Sequence, residues 1–288
     1  MNSTDWSSNL SSITEGSSPA LAERQSKAAT LTAIEAAAER LRVAQEKLTL
    51  CAPVRDLISA GDLAAAYSVQ TINNDLAIES GRRPAGWKVG LTSLAVQQQL
   101  GVNQPDFGRL FADTEVFDDL PATAEQMLQP RVEAEVAFVL ESDLDHDPVR
   151  AIDVIRATAF VLPAIEIVAS RIKGWDITIV DTIADNASSG AYVVGSRPTL
   201  LTSIDLREIT MELSGPGAVL SSGSGAACLG HPVNAVAWLA NTMLELGSPL
   251  CAGDLVLSGA LGPMTDVQPG TVYEARITGL GSVRARFS

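Results

Sequence analysis

Histidine is nearly absent from this sequence: there are two, His146 and His231. A metal centre built from several imidazoles is therefore excluded. Cysteine is scarce too. Cys51, Cys228 and Cys251 are odd in number and widely spaced, with no CxxC pair. That argues against a disulfide framework and a thiolate zinc site, and favours a reducing compartment. There is no block of cationic residues; 20 scattered Lys and Arg face 34 Asp and Glu, for a net charge of −14. Nucleic acid and anionic membrane surfaces are excluded as partners on that balance. No apolar run reaches the 18 or so residues that a membrane-spanning helix needs. The start, MNSTDWSSNLSS, lacks the basic-then-apolar order of a signal peptide. A cytoplasmic protein is expected.

What is present supports a sizeable core. Of 288 residues, 46% are hydrophobic, mostly Leu, Val and Ala, enough for one large domain or two small ones. Residues 1–30 are rich in Ser, Asn and Thr and read as an unordered tail. Residues 30–48 carry Leu31, Ile34, Ala38 and Leu41 at helical spacing. A second helix is expected over 61–80, with Asp62 as N-cap and Gly81 as stop. From residue 85 the texture changes to short apolar segments cut by Gly, Pro and Asp, which read as strands: GWKVGLTS, FGRLFAD, VEAEVAFVL, AFVLPAIEIV, GAYVVGS, DLVLSGAL, TVYEARITGL and SVRARFS. Helices are expected to interrupt them near 147–157 and at 232–246, the latter with Pro232 at its first position and Gly247 at its stop. The fold class is α+β: a helical N-terminal part over 31–84 and a β-rich catalytic body over 85–288, folding as one unit.

Two glutamates stand in an apolar run. In a strand, Glu133, Glu135 and Ala137 project one way, while Val132, Ala134, Val136 and Phe138 project the other. Adjacent carboxylates repel, and burying them is costly unless something neutralises them. A divalent cation does so, and oxygen ligands suit Mg²⁺, Mn²⁺ or Ca²⁺. A solvated strand face is the other reading of E-x-E. A third acid, Glu166, stands alone among Leu162, Ala164, Ile165, Ile167 and Val168. A lone acid in such a run has a partner or a task. Lys88, between Trp87 and Val89, either snorkels to the surface or lies buried near a metal with a lowered pKa. Asp106 either caps a turn or acts as an acid/base. Arg109 either holds a substrate carboxylate or pairs with an acid. Asp185, Asn186, Ser188 and Ser189 either line a pocket or form an ordinary polar loop.

Taken together, GWKVGLTS (86–93), QPDFGRLF (104–111), VEAEVAFVL (132–140), PAIEIV (163–168), DNASSGAYVVG (185–195), GHPVNAVAWLANTM (230–243) and AGDLVLSGAL (252–261) resemble the 2-keto-4-pentenoate hydratase and 4-oxalocrotonate decarboxylase branch of the fumarylacetoacetate hydrolase superfamily. The resemblance runs from about residue 35 to the end. It implies a mixed, rolled β-sheet and a Mg²⁺ or Mn²⁺ site on Glu133, Glu135 and Glu166. It places catalytic groups at Lys88, Asp106 and Ser188, with Arg109 and Ser189 as substrate-binding candidates. It implies a homo-oligomer that adds water to a 2-hydroxy-2,4-dienoate in the catabolism of aromatic compounds. Three other readings stand: a decarboxylase of 2-oxo-3-enedioates, for which Arg109 and Arg171 are the candidate diacid anchors; a C–C bond hydrolase, which would need a His–Glu pair; and a non-catalytic metal-binding module.

Overall fold

The computed structural model describes residues 19–93, 97, 102–117 and 120–288, with side chains from residue 30 onward. Residues 1–18 of the expected tail lie outside the described residues. The chain is helical from Pro19, earlier than the change of texture suggests. Helix α1 (Pro19–Glu46) starts in PALAERQSKAA, whose Ala, Glu, Arg and Lys favour helix. Helix α2 (Leu63–Glu79) begins where expected, with the Asp62 side chain accepting from Ala65 N at 2.9 Å.

The body is two sheets. The larger contains strands β1 (Pro84–Gly90), β2 (Asp106–Phe111), β4 (Arg131–Leu140), β5 (Thr158–Val168), β6 (Ser189–Val194), β9 (Leu255–Leu257) and β10 (Thr265–Asp266). Its order is β2-β1-β9-β4-β5-β6, with β10 on the end of β4. Only β1 and β9 run parallel; the other pairs are antiparallel. The sheet is rolled: beyond β2, Glu115 bridges to Tyr192 of β6, and Val116 N donates to Tyr192 O at 2.8 Å. The smaller sheet has the order β3-β12-β11-β7-β8, built from β3 (Pro121–Ala122), β7 (Thr210–Gly215), β8 (Ala218–Ser224), β11 (Val272–Ile277) and β12 (Gly281–Phe287). Helices α3 (Ala151–Ala157), α4 (Ile179–Ala184) and α5 (Pro232–Glu245) follow in the body.

The main core lies between the sheets. Val132, Ala134, Val136 and Phe138 of β4 meet Leu213 and Tyr273 of the smaller sheet and Val236 of α5. Each fully buried aliphatic side chain contributes roughly 1.5–3 kcal/mol. The opposite face of the larger sheet is left for Glu133, Glu135 and Ala137. A second core, with Ile34, Leu41 and Val69 against Ile172, Val180 and Ile183, docks the N-terminal helices onto α4.

That docking turns on one buried acid. Asp181 of α4 accepts from Val54 N (2.9 Å), Arg55 N (3.0 Å), Arg55 Nη1 (2.6 Å), Thr178 N (2.9 Å) and Thr178 Oγ1 (2.8 Å). Burial alone would raise its pKa, but these donors outweigh it and hold the carboxyl below its ordinary value. A depressed folded-state pKa gives stability that is present above the unfolded value of about 3.9 and is lost as pH falls through the folded one. Asp181→Ala should therefore cost roughly 3 kcal/mol at pH 7. That difference should shrink on acidification below about pH 4, measured by urea unfolding across pH.

Candidate active site

The period of two along β4 and its register with β5 assemble the acids. Glu133 lies directly opposite Glu166, and Glu135 is two residues along the same face. Oxygens of Glu133, Glu135 and Glu166 lie within 4.8 Å of one another. Glu135 and Glu166 are fully buried and Glu133 is 7% exposed. Gly259 N donates to Glu135 Oε2 at 2.7 Å. No hydrogen bond reaches Glu135 Oε1 or either oxygen of Glu166, although Lys88 Nζ forms an ion pair with Glu166 Oε1 at 3.2 Å. Burial raises all three carboxyls, and their mutual repulsion adds to it at Glu135 and Glu166; Glu166 is pushed up to about 7. Buried oxygens without donors, on an all-carboxylate set, fit a hard divalent cation.

Lys88 does not snorkel. It is 3% exposed, and its Nζ donates to Ala187 O at 2.9 Å. Burial pulls its pKa down, but Glu166, Asp106, Glu133 and Glu135 outweigh that and raise it. The lowered pKa expected of a buried lysine is thus reversed by the four carboxyls around the amine. Asp106 sits on the same sheet face: it pairs with Gly90, as Lys88 pairs with Gly108. A Cβ on Gly90 would come within 2.2 Å of Asp106 Oδ1 and 3.2 Å of Lys88 Nζ, so only glycine leaves room for both groups. Burial raises the Asp106 carboxyl despite the nearby Lys88 ammonium.

Ser188 is buried, with its Oγ 3.3 Å from Thr182 Oγ1. Thr182, on the short helix α4, is thus the hydroxyl neighbour of Ser188. Ser188 ends a turn in which Asn186 (φ 54°), Ala187 (φ 51°) and Ser188 (φ 54°) are all left-handed. Such conformations cost about 1–2 kcal/mol per residue outside glycine. This loop is not an ordinary polar connection: Asp185 and Ser188 are buried and Asn186 is partly so.

Two arginines take other places. Arg109 is three residues from Asp106 and so projects from the opposite sheet face. There its guanidinium lies 4.1 Å from the Trp87 ring centroid. Arg109 is thus turned away from the acids, contrary to the expectation of a substrate contact. Arg171 binds the Asp185 carboxylate and backbone oxygen and donates to Ser189 O at 2.9 Å. It holds the loop and is not free to anchor a diacid. Ser189 enters these contacts through its carbonyl. His146 is exposed and lies 3.5 Å from Asp153. His231 Nδ1 caps α5, accepting from Val233 N at 3.1 Å. The His–Glu pair that the hydrolase reading needs is not formed by either histidine.

Residues 102–288 match the family model described as fumarylacetoacetate (FAA) hydrolase C-terminal. The chain belongs to the fumarylacetoacetate hydrolase family. Within this family it is 54% identical over 255 residues to a 2-keto-4-pentenoate hydratase of Paraburkholderia phymatum, covering 88% of this chain and 97% of that one. It is 40% identical over 257 residues to a 2-hydroxyhexa-2,4-dienoate hydratase of Comamonas testosteroni, covering 88% and 97%. The family fold extends to the N-terminal helices. The 4-oxalocrotonate decarboxylase of Pseudomonas putida G7, solved with magnesium and adipate, superposes with a TM-score of 0.85 at 33% identity, over 88% of this chain and 97% of that one.

A cation at the three glutamates relieves their repulsion in the folded state only. Mg²⁺ or Mn²⁺ at about a hundred times its Kd should raise Tm by about 5 °C in a thermal melt. Glu135→Gln, which removes one negative ligand, should largely abolish that rise.

Proposed function

We propose that this chain is a Mg²⁺- or Mn²⁺-dependent hydratase that converts a short 2-hydroxy-2,4-dienoate into a 4-hydroxy-2-oxo acid. One observation carries the reading: a charged amine and a carboxyl of raised pKa share a buried sheet face with a triad of glutamates. The hydratases cited above, at 54% and 40% identity, support the same reaction class.

When bound, the cation would supply Lewis-acid stabilisation of the charge that develops on the C2 oxygen of the substrate. The residues do the rest. Asp106, made a stronger base by burial, takes the 2-hydroxyl proton, and Lys88, held charged, delivers one to C5. The product of this ketonisation is a 2-oxo-3-enoate. Water then adds at C4, conjugate to the ketone, with its proton going to C3. Ser188 hydrogen-bonds the substrate carboxylate or the incoming water.

The sheet face beyond the acids is apolar, lined by Ala137, Leu162, Ala164, Leu110 and Leu257. An apolar cluster on that face suits a methylene or short alkyl terminus better than a second carboxylate, which would need a cation there. The two arginines weighed for that task are spent on Trp87 and Asp185. This favours the hydratase over the decarboxylase. A homo-oligomer and a cytoplasmic setting belong to the same proposal. Exposed Leu200, Val219 and Leu220 support the former, and the free thiols of Cys51, Cys228 and Cys251 suit the latter. Among the described residues no helix is long and apolar enough to cross a membrane.

Loss of dienol absorbance with 2-hydroxypenta-2,4-dienoate, and the product's mass, test the reaction. Lys88→Ala should keep the Mg²⁺-dependent rise in Tm while kcat falls by about 10²–10⁴-fold. Release of CO₂ from 2-oxo-3-hexenedioate at a comparable rate would instead establish the decarboxylase.

A further inference from the structure

The rolled sheet has a seam between β2 and β6, and a side chain closes part of it. The Asn186 Oδ1 accepts from Arg109 N at 2.8 Å, and its Nδ2 donates to Arg109 O at 2.9 Å. One carboxamide thus gives β2 the donor and acceptor that a neighbouring strand would give. On the other side of the turn, Ala169 N donates to Ser188 O at 2.7 Å, which ties it to the chain just beyond β5. The turn presses closely on β2. A Cβ on Gly108 would lie 2.3 Å from the Asn186 carbonyl oxygen.

Three consecutive left-handed residues persist only where surrounding contacts over-determine them. Two anchors do this here. Upstream, Asp185 Oδ2 accepts from Arg171 N at 3.0 Å and Ser170 Oγ at 3.2 Å. In the turn itself, the anchor is the Asn186 carboxamide. Immediately after them the Ala187 carbonyl is aimed at Lys88 Nζ, 2.9 Å away. An ammonium on a flexible four-carbon stem is not aimed by its own backbone. Glu166 gives it one fixed partner and Ala187 O a second.

We propose that Asn186 is a positioning residue for Lys88: its carboxamide stands in for a strand at the seam, sets the left-handed turn, and so fixes the Ala187 carbonyl that orients the amine. Both ends of the carboxamide are engaged by the Arg109 backbone, so it acts through Lys88 and not on the substrate. The proposal rests on the proton-transfer role given to Lys88 above.

Crystal structures and steady-state kinetics of Asn186→Ala and Asn186→Asp test it. In Asn186→Ala the Ala187 carbonyl should leave Lys88 Nζ, and kcat should fall about a hundredfold. KM and the Mg²⁺-dependent rise in Tm should stay close to wild type, because binding is not what is lost. Asn186→Asp keeps the acceptor for Arg109 N but loses the donor to Arg109 O; a loss of about tenfold is expected, and this variant decides the matter if the alanine variant does not fold. An unchanged kcat, a change confined to KM, or a fall in kcat with Ala187 O still on Lys88 would each overturn the proposal. Wild-type protein in the same assay separates the two ideas: no turnover of the dienoate by wild type rejects the hydratase reading, while the crystal structures still decide what Asn186 positions.

Discussion

Like charge held in a dry interior is the constraint around which this structure is arranged. Glu133, Glu135, Glu166 and Asp106 are all buried on one sheet face, with Lys88 as the cation among them. Two unit charges about 4 Å apart interact by about 4 kcal/mol even at an effective dielectric constant of 20. One ammonium cannot offset four carboxylates; burial raises all four acids, and mutual repulsion adds to it at Glu135 and Glu166. A divalent ion removes most of it. The same imbalance therefore suits the triad to a small, hard, doubly charged ligand.

The surrounding fold keeps the imbalance from relaxing. Glu133 and Glu135 cannot swing to solvent, because the alternate residues of β4 are locked into the core between the sheets. Gly90 leaves room for Asp106 and Lys88 together, and at Gly259, whose N donates to Glu135, a Cβ would strike the Thr92 side chain. Strain gathers in the Asn186–Ser188 turn and is held there by Arg171 and Asp185, themselves a buried ion pair. Such a pair is weak evidence for stability. Its value here is geometric, since it fixes where the loop enters the site.

Much of this was legible in the sequence, and the limits have physical causes. A period of two, broken by acids, marks Glu133 and Glu135, and an acid alone in PAIEIV marks Glu166. The facing of Glu133 and Glu166 was not legible, because register belongs to a strand pair and not to one strand. The opposite facing of Asp106 and Arg109 could have been read from their odd separation in a strand. Arg171 carried no local mark, since its partner Asp185 is defined by the fold. Thr182 and Asp181 lie in IVDTIA, a helix of six residues, too short to show a period. The β7–β8 hairpin, TMELSG–PG–AVLSSGS, was missed because Ser, Gly and Glu dilute its strand signal.

On the mechanism proposed above, the choice between hydratase and decarboxylase turns on the far end of the substrate, because the acids and the amine are given the same enolate and proton-transfer work in either case. A decarboxylase must also bind the carboxylate that it expels, and burying that anion without a cation would cost several kcal/mol. In this chain Arg109 is held by an aromatic face and Arg171 by a buried acid, so enlisting either would break a contact that holds the sheet or the loop in place. The wall from Ala137 to Leu162 asks no such sacrifice of an apolar terminus. Selectivity of this kind comes from where the fold has already committed its cations.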